Sequence, residues 1–194
     1  MLSRDDIIEN LRTNLTPERF LHSLNVAQTA AGLAGHFGAD IKRAELAGLV
    51  HDCLKDLPAS VQLKMAENFG ILLDDIEKSE PALIHGPLGA VYAREAYGIQ
   101  DEDILRAVRT HTTGDVNMTL LDKIIFISDY IEPARSFPGV EEMRKKACID
   151  LDEAVLLAFD STIKYVLARK SLLHPRTVNA RNFLLMQKGR EEKP

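Results

Sequence analysis

Four histidines and two aspartates in this sequence are metal-ligand residue types placed where helices would carry them inward. His51-Asp52 is the strongest local signal. The preceding Leu46-Ala47-Gly48-Leu49-Val50 is wholly apolar, so the segment enters the interior and then presents an imidazole and a carboxylate in succession. A buried aspartate is costly unless it is paired or bound to a cation. Asp129 sits among Ile124, Ile125, Phe126, Ile127 and Ile131. On a helix its i−3 and i−4 neighbours are Phe126 and Ile125, so its stripe is the apolar one. His22 shares a helical face with Val26, Thr29 and Leu33. His85 stands directly before Gly86-Pro87, and His111 closes a regular helical pattern, so both lie at helix ends where side chains can converge. Imidazole and carboxylate suit iron, manganese or zinc, and the lack of thiolate disfavours a structural zinc site. Six donors exceed what one ion takes from protein while keeping a position open for water. Two neighbouring ions would use them better.

The elements that must position these residues read as helices throughout. Residues 3–13 form an amphipathic helix with Ser3 as N-cap and Asp5 and Asp6 at its positive end. Thr16-Pro17 opens a second helix that stops at Gly38. A third, capped by Asp40, covers residues 40–54, and Pro58 opens a fourth that Gly70 closes. Residues 71–84 hold a turn or short helix. Further helices are expected over 87–97, 101–111 and 119–131, a loop over 134–142, and a long helix over 151–170. A loop through His174-Pro175 leads to a last helix over 178–188, with 188–194 as a frayed tail. There is no strand-type alternation, repeat or linker, so a single all-α domain, a helical bundle, is expected over 1–194.

Composition agrees and narrows the function classes. A chain of 194 residues suffices for one full core and is short for two. Aromatics are few and tryptophan is absent, which favours helix over sheet. The net charge of −5 argues against a general nucleic-acid binder. It leaves room for a small anionic substrate, because bound cations reverse the field locally. Cys53 and Cys148 lack paired spacing and read as reduced thiols. No signal-peptide core and no apolar run of the ~18 residues a membrane span needs is present. A cytoplasmic protein without membrane or nucleic-acid partners is expected.

The order His22, His51-Asp52, Asp129 resembles the H…HD…D signature of the HD superfamily of phosphohydrolases, and His85 and His111 resemble the added histidines of its di-metal branch. More closely, LTPERFLHSLNVAQTAAGLA, GLVHDCLKD, HGPLGAVYA, RTHTTG, FISDYIEPAR and HPRTVNARNFLL resemble the bacterial HD-domain symmetrical diadenosine tetraphosphatases. The likeness runs from about residue 5 to about residue 188. One departure is Thr112, which follows His111 where many di-metal HD proteins carry a second histidine.

The resemblance implies an HD-type bundle that hydrolyses diadenosine tetraphosphate to two ADP. It implies one or two divalent metal ions, iron before manganese, and a nucleoside diphosphate such as ADP or GDP bound at the site. In that scheme Asp52 bridges two ions, with His22, His51 and Asp129 on one and His85 and His111 on the other. Lys55, one turn after His51, would neutralise charge building on phosphoryl oxygens. Arg135 and Arg181 are candidate phosphate or ribose contacts, Thr112 and Thr113 form a polar loop beside His111, and His174 is a candidate nucleotide contact. Tyr130, Phe137 and Phe183 are expected mostly to pack in the core, and His36 to serve only its helix end. Two alternatives stay open: another HD nucleotide phosphohydrolase (a nucleotidase or phosphodiesterase), and a non-catalytic regulator that binds nucleoside diphosphate. A homodimer is compatible with the sequence.

Overall fold

Helices account for all the regular structure among the described residues, which in this computed structural model are 1–191, with side chains to 189. In chain order they are α1 (Arg4–Asn14), α2 (Pro17–Phe37), α3 (Ile41–Val50), α4 (Ala59–Asn68), α5 (Asp75–Ser79), a 3-10 turn (Pro81–Leu83), α6 (His85–Glu95), α7 (Glu102–Thr110), α8 (Leu120–Ile131), α9 (Val140–Ala147), α10 (Leu151–Ala168) and α11 (Pro175–Glu191). The caps read from sequence are in place. Ser3, Thr16 and Asp40 accept from the first-turn N–H groups of α1, α2 and α3, and Gly38 ends α2 in the left-handed region at φ 71°. No helix among the described residues is long and apolar enough to cross a membrane.

α2 is the spine. It packs along α3 and crosses α8, while α7 and α10 close over the other faces of α8. The α2–α3 contact is close enough that a Cβ on Gly48 would meet Ala27 Cα at 2.9 Å, so only glycine fits there. Gly86 does the same between α6 and α7, where a Cβ would lie 2.9 Å from the Arg109 carbonyl oxygen. These two approaches draw the residues beside them, His51 and His85, toward the centre. Phe126 of α8 and Phe159 of α10, both fully buried, pack with ring centroids 4.6 Å apart and tie the two halves of the core.

Two expected boundaries change, and one helix appears that was not expected. α3 stops at Val50 rather than running to residue 54, because the Gly48 carbonyl that would continue it accepts from the His51 ring at 2.6 Å. The chain then tightens into i→i+3 turns, with Lys55 N–H bonded to the Asp52 carbonyl at 3.0 Å. α9 was not expected. Its signs are Val140, Met143 and Ala147 on one buried stripe, acidic residues in the first turn and Arg144, Lys145 and Lys146 in the last. α11 starts at Pro175 and not at residue 178, the His174 ring accepting from Arg176 N–H at 3.0 Å, and it continues through Glu191. The rest of the expected frayed tail lies outside the described residues.

Candidate metal centre

Three of the four central histidines are aimed by their own segments. His51 and His111 are the residues that end α3 and α7, and His85 is the first residue of α6. Each donates its Nδ1–H to the carbonyl three residues back: His51 to Gly48 at 2.6 Å, His85 to Ala82 at 2.7 Å and His111 to Val108 at 2.7 Å. A carbonyl only accepts, so the proton is on Nδ1 and the bare Nε2 lone pair faces inward. His22 stands in the body of α2, where carbonyls are already bonded along the helix. Its Nδ1–H goes to the carboxylate of Glu132, at 3.2 Å.

The four Nε2 atoms converge on Asp52, and its two oxygens divide them. Oδ1 lies 3.1 Å from His85 Nε2 and 3.3 Å from His111 Nε2. Oδ2 lies 3.5 Å from His51 Nε2 and 3.8 Å from His22 Nε2. Asp129 joins the second group, with Oδ1 3.0 Å from His22 Nε2 and 4.0 Å from His51 Nε2. All six sequence-derived ligand candidates therefore meet at one place.

This donor set fits divalent cations for a reason visible in the geometry. His85 Nε2 and His111 Nε2 are 3.0 Å apart, and both rings already spend their proton on a carbonyl. Two lone pairs cannot hydrogen-bond each other. The Thr112 hydroxyl, 3.2 Å from both, has one proton and can serve only one of them, and Nε2 of His22 and of His51 are buried without a hydrogen-bond partner. Cations on the two sides of Asp52 would satisfy all of these atoms together.

Charge states suit that role. Burial pushes the His51 and His85 imidazoles down to about 4, so both are neutral near pH 7. Burial also raises the Asp52 carboxyl, but His51, His111 and His85 outweigh it and hold Asp52 well below the usual range. Asp129 is likewise held low: His22, His51 and Arg135 outweigh its burial.

Around the centre sit residues that sequence reasoning had missed. Arg19 donates to Asp52 Oδ2 at 2.7 Å. Glu132, 2% exposed, takes Asn25 at 2.9 Å and Ala134 N–H at 2.7 Å beside the His22 ring. Arg19 had a signal, because it lies three residues before His22 on the same helix face, whereas Glu132 is the C-cap that ends α8.

The expected substrate residues separate into groups. Lys55 Nζ stands 3.2 Å from His85 Nδ1 and 3.4 Å from its Nε2. Burial lowers its pKa, with the Asp52 charge acting the other way. Thr112 Oγ1 is 3.2 Å from both His85 Nε2 and His111 Nε2. Arg135 pairs with Asp129 through both its carboxylate and its backbone carbonyl. A cavity of ≈ 610 Å³ opens beside these groups, walled also by Thr113, Tyr130, Phe137, Tyr165 and His174. Thr113 donates its hydroxyl to the Gly114 carbonyl at 2.9 Å. His174 bonds Asp74 at 2.8 Å through Nε2 and Arg176 N–H through Nδ1, so both line the cavity with polar atoms already engaged. Tyr130 and Phe137 serve core and cavity at once. Arg181 is not brought to the centre. It pairs with Asp160 and lines a separate cleft with Glu153 and Lys188.

The HD-domain family model matches residues 19–134, a span that holds all six ligand candidates. The chain belongs to the HD-domain family. Among curated HD-domain relatives, a protein of Halalkalibacterium halodurans is 39% identical over 96% of this chain and 99% of its own length. One from Bacillus subtilis is 39% identical over 95% of this chain and 98% of its own. Both are named symmetrical bis(5′-nucleosyl)-tetraphosphatase. A solved structure from Clostridium acetobutylicum, described as a predicted HD superfamily hydrolase involved in NAD metabolism, superposes with a TM-score of 0.94 at 46% identity, covering 96% of this chain and 99% of that one.

Proposed function

We propose that this chain hydrolyses dinucleoside tetraphosphates symmetrically, diadenosine tetraphosphate giving two ADP, with two divalent cations of the iron or manganese type. The observation that carries the reading is the Asp52 carboxylate, whose two oxygens each face a pair of unprotonated imidazole nitrogens beside a cavity large enough for a nucleotide. The names of the near full-length relatives point to the same substrate. His22, His51 and Asp129 would hold one cation and His85 and His111 the other, with Asp52 between them. When bound, the cations polarise phosphoryl oxygens and make water acidic enough to react near neutral pH.

The protein groups do the rest. Ionised Asp52 and Asp129 keep carboxylate oxygens among the imidazole lone pairs, so the centre can take up cations before a polyphosphate arrives. Lys55 lines both the central hollow and the cavity and meets charge as it develops on the phosphoryl oxygens. Arg135 lines both the centre and the cavity and reaches the adjoining phosphates. Tyr130, Phe137 and Tyr165 offer apolar faces to a nucleoside. The test is a substrate panel on anaerobically purified, manganese- or iron-loaded protein. Diadenosine tetraphosphate should yield two ADP, faster than nucleoside monophosphates or cyclic dinucleotides are cleaved. Preference for either of the latter would assign the centre to another HD chemistry.

A further inference from the structure

The space around the centre is unequal. The central hollow, ≈ 210 Å³, shares Lys55, Thr112, Asp129, Tyr130 and Arg135 as walls with the large cavity. It meets a third space, a shallower cleft of ≈ 350 Å³, at Arg19 and Arg135. Arg135 is the side chain common to all three. The large cavity has three aromatic walls: Tyr130, Phe137 and Tyr165. The cleft has no Phe, Tyr or Trp among the described residues; its walls include Glu18, Leu21, the buried His22 and Glu132, and the two arginines. A base would find only the His22 ring there, which is 7% exposed and flanked by Asp129 and Glu132 at its two nitrogens. Phosphate oxygens would find Arg19 and Arg135.

A symmetrical cut places two phosphates on each side of the broken bond, so the halves of the substrate leave the centre in two directions. We infer that only one nucleoside is recognised, in the aromatic cavity, and that the cleft takes the other half by its phosphates alone. This rests on the function proposed above and extends it. The substrate class becomes one nucleoside with a four-phosphate chain, so nucleoside 5′-tetraphosphates are cleaved as well. Water adds to one of the two central phosphorus atoms, the bridging P–O bond between them breaks, and a proton is released. Adenosine 5′-tetraphosphate then gives ADP and pyrophosphate where the dinucleotide gives two ADP.

Magnitudes decide between one-ended and two-ended recognition. Stacking a base on an aromatic ring is worth about five- to 150-fold in binding. If the second base is unstacked, removing it with its ribose changes little. The experiment pairs calorimetric titration of the manganese-loaded protein with ADP and a comparison of kcat/KM for diadenosine tetraphosphate and adenosine 5′-tetraphosphate. One ADP per chain and a kcat/KM ratio within tenfold are expected. Tyr165→Ala, at an exposed position, should raise KM for both substrates by the same factor. Two ADP sites of similar affinity, or a drop of tenfold or more with adenosine 5′-tetraphosphate, would overturn the inference while leaving dinucleotide cleavage intact. Failure to cleave diadenosine tetraphosphate would instead sink the proposed function, and this inference with it.

Discussion

The two sides of Asp52 reach the same end by different means. On the Oδ1 side, His85 and His111 are each aimed by a carbonyl three residues earlier in their own segment. On the Oδ2 side, His51 is aimed in the same way, but His22 is aimed by Glu132, 110 residues along the chain. The Oδ2 side also holds the second aspartate and both guanidinium partners, Arg19 and Arg135. A histidine at a helix end orients itself on a local carbonyl. One in mid-helix must borrow an acceptor from elsewhere, and a carboxylate makes the ring a stronger donor to a cation than a carbonyl does. The Oδ2 side should therefore bind its cation more tightly.

The largest break in this comparison is to remove what the two sides share. Asp52→Ala should abolish turnover and deplete metal on both sides, read as activity and as metal content by mass spectrometry, while the helical circular-dichroism signal persists. Retained activity would remove Asp52 from the mechanism. Next is Lys55, which belongs to the Oδ1 side through His85. Lys55→Ala should lower kcat by about tenfold to a thousandfold, as expected on losing one charge stabiliser, with metal content unchanged. An unaltered rate would return Lys55 to a bystander role.

Glu132→Ala sharpens the comparison directly. It should weaken manganese binding on the Oδ2 side by about 10–100-fold and leave the other side alone, so a two-step titration should move in one step only. Equal weakening of both steps would contradict the division drawn here.

The smallest effect is on pH. Between about pH 6.5 and about pH 4, the unfolded chain takes up protons at positions 51 and 85 while the folded, metal-free chain does not. Stability in urea should therefore fall as pH falls through that window, and this source contributes nothing above it. Asp52 and Asp129, held low, add to the fall only from about pH 5 downward, so the histidine slope is read between about pH 6.5 and about pH 5. One of these histidines lies on each side of Asp52, so His51→Gln or His85→Gln alone should remove about half the slope. Loss of the whole slope in one variant would show that the sides are not equivalent in this respect.

What was legible in the sequence follows the same division. The apolar run into His51, the apolar stripe around Asp129 and the helix-end positions of His85 and His111 are local patterns, and they located the centre. The role of Glu132 was not legible, because it depends on α2 crossing α8, and Glu132 alone reads as the exit before Pro133. The early stop of α3 comes from a ring-to-carbonyl bond that helix periodicity does not encode. Helix α9 was hidden by the loop character of Phe137-Pro138-Gly139, although its charges and apolar spacing were on view. Arg181 looked like an anion contact by residue type, yet its helix face turns it to Asp160. Position in three dimensions, not side-chain chemistry, removed it.

The central claim is that one carboxylate divides two cation positions. Anomalous diffraction from crystals of the manganese-loaded protein tests it most directly. Two peaks are predicted, one between Asp52, His22, His51 and Asp129 and the other between Asp52, His85 and His111. A single peak, or peaks that leave His22 or the His85–His111 pair without a cation, would contradict it.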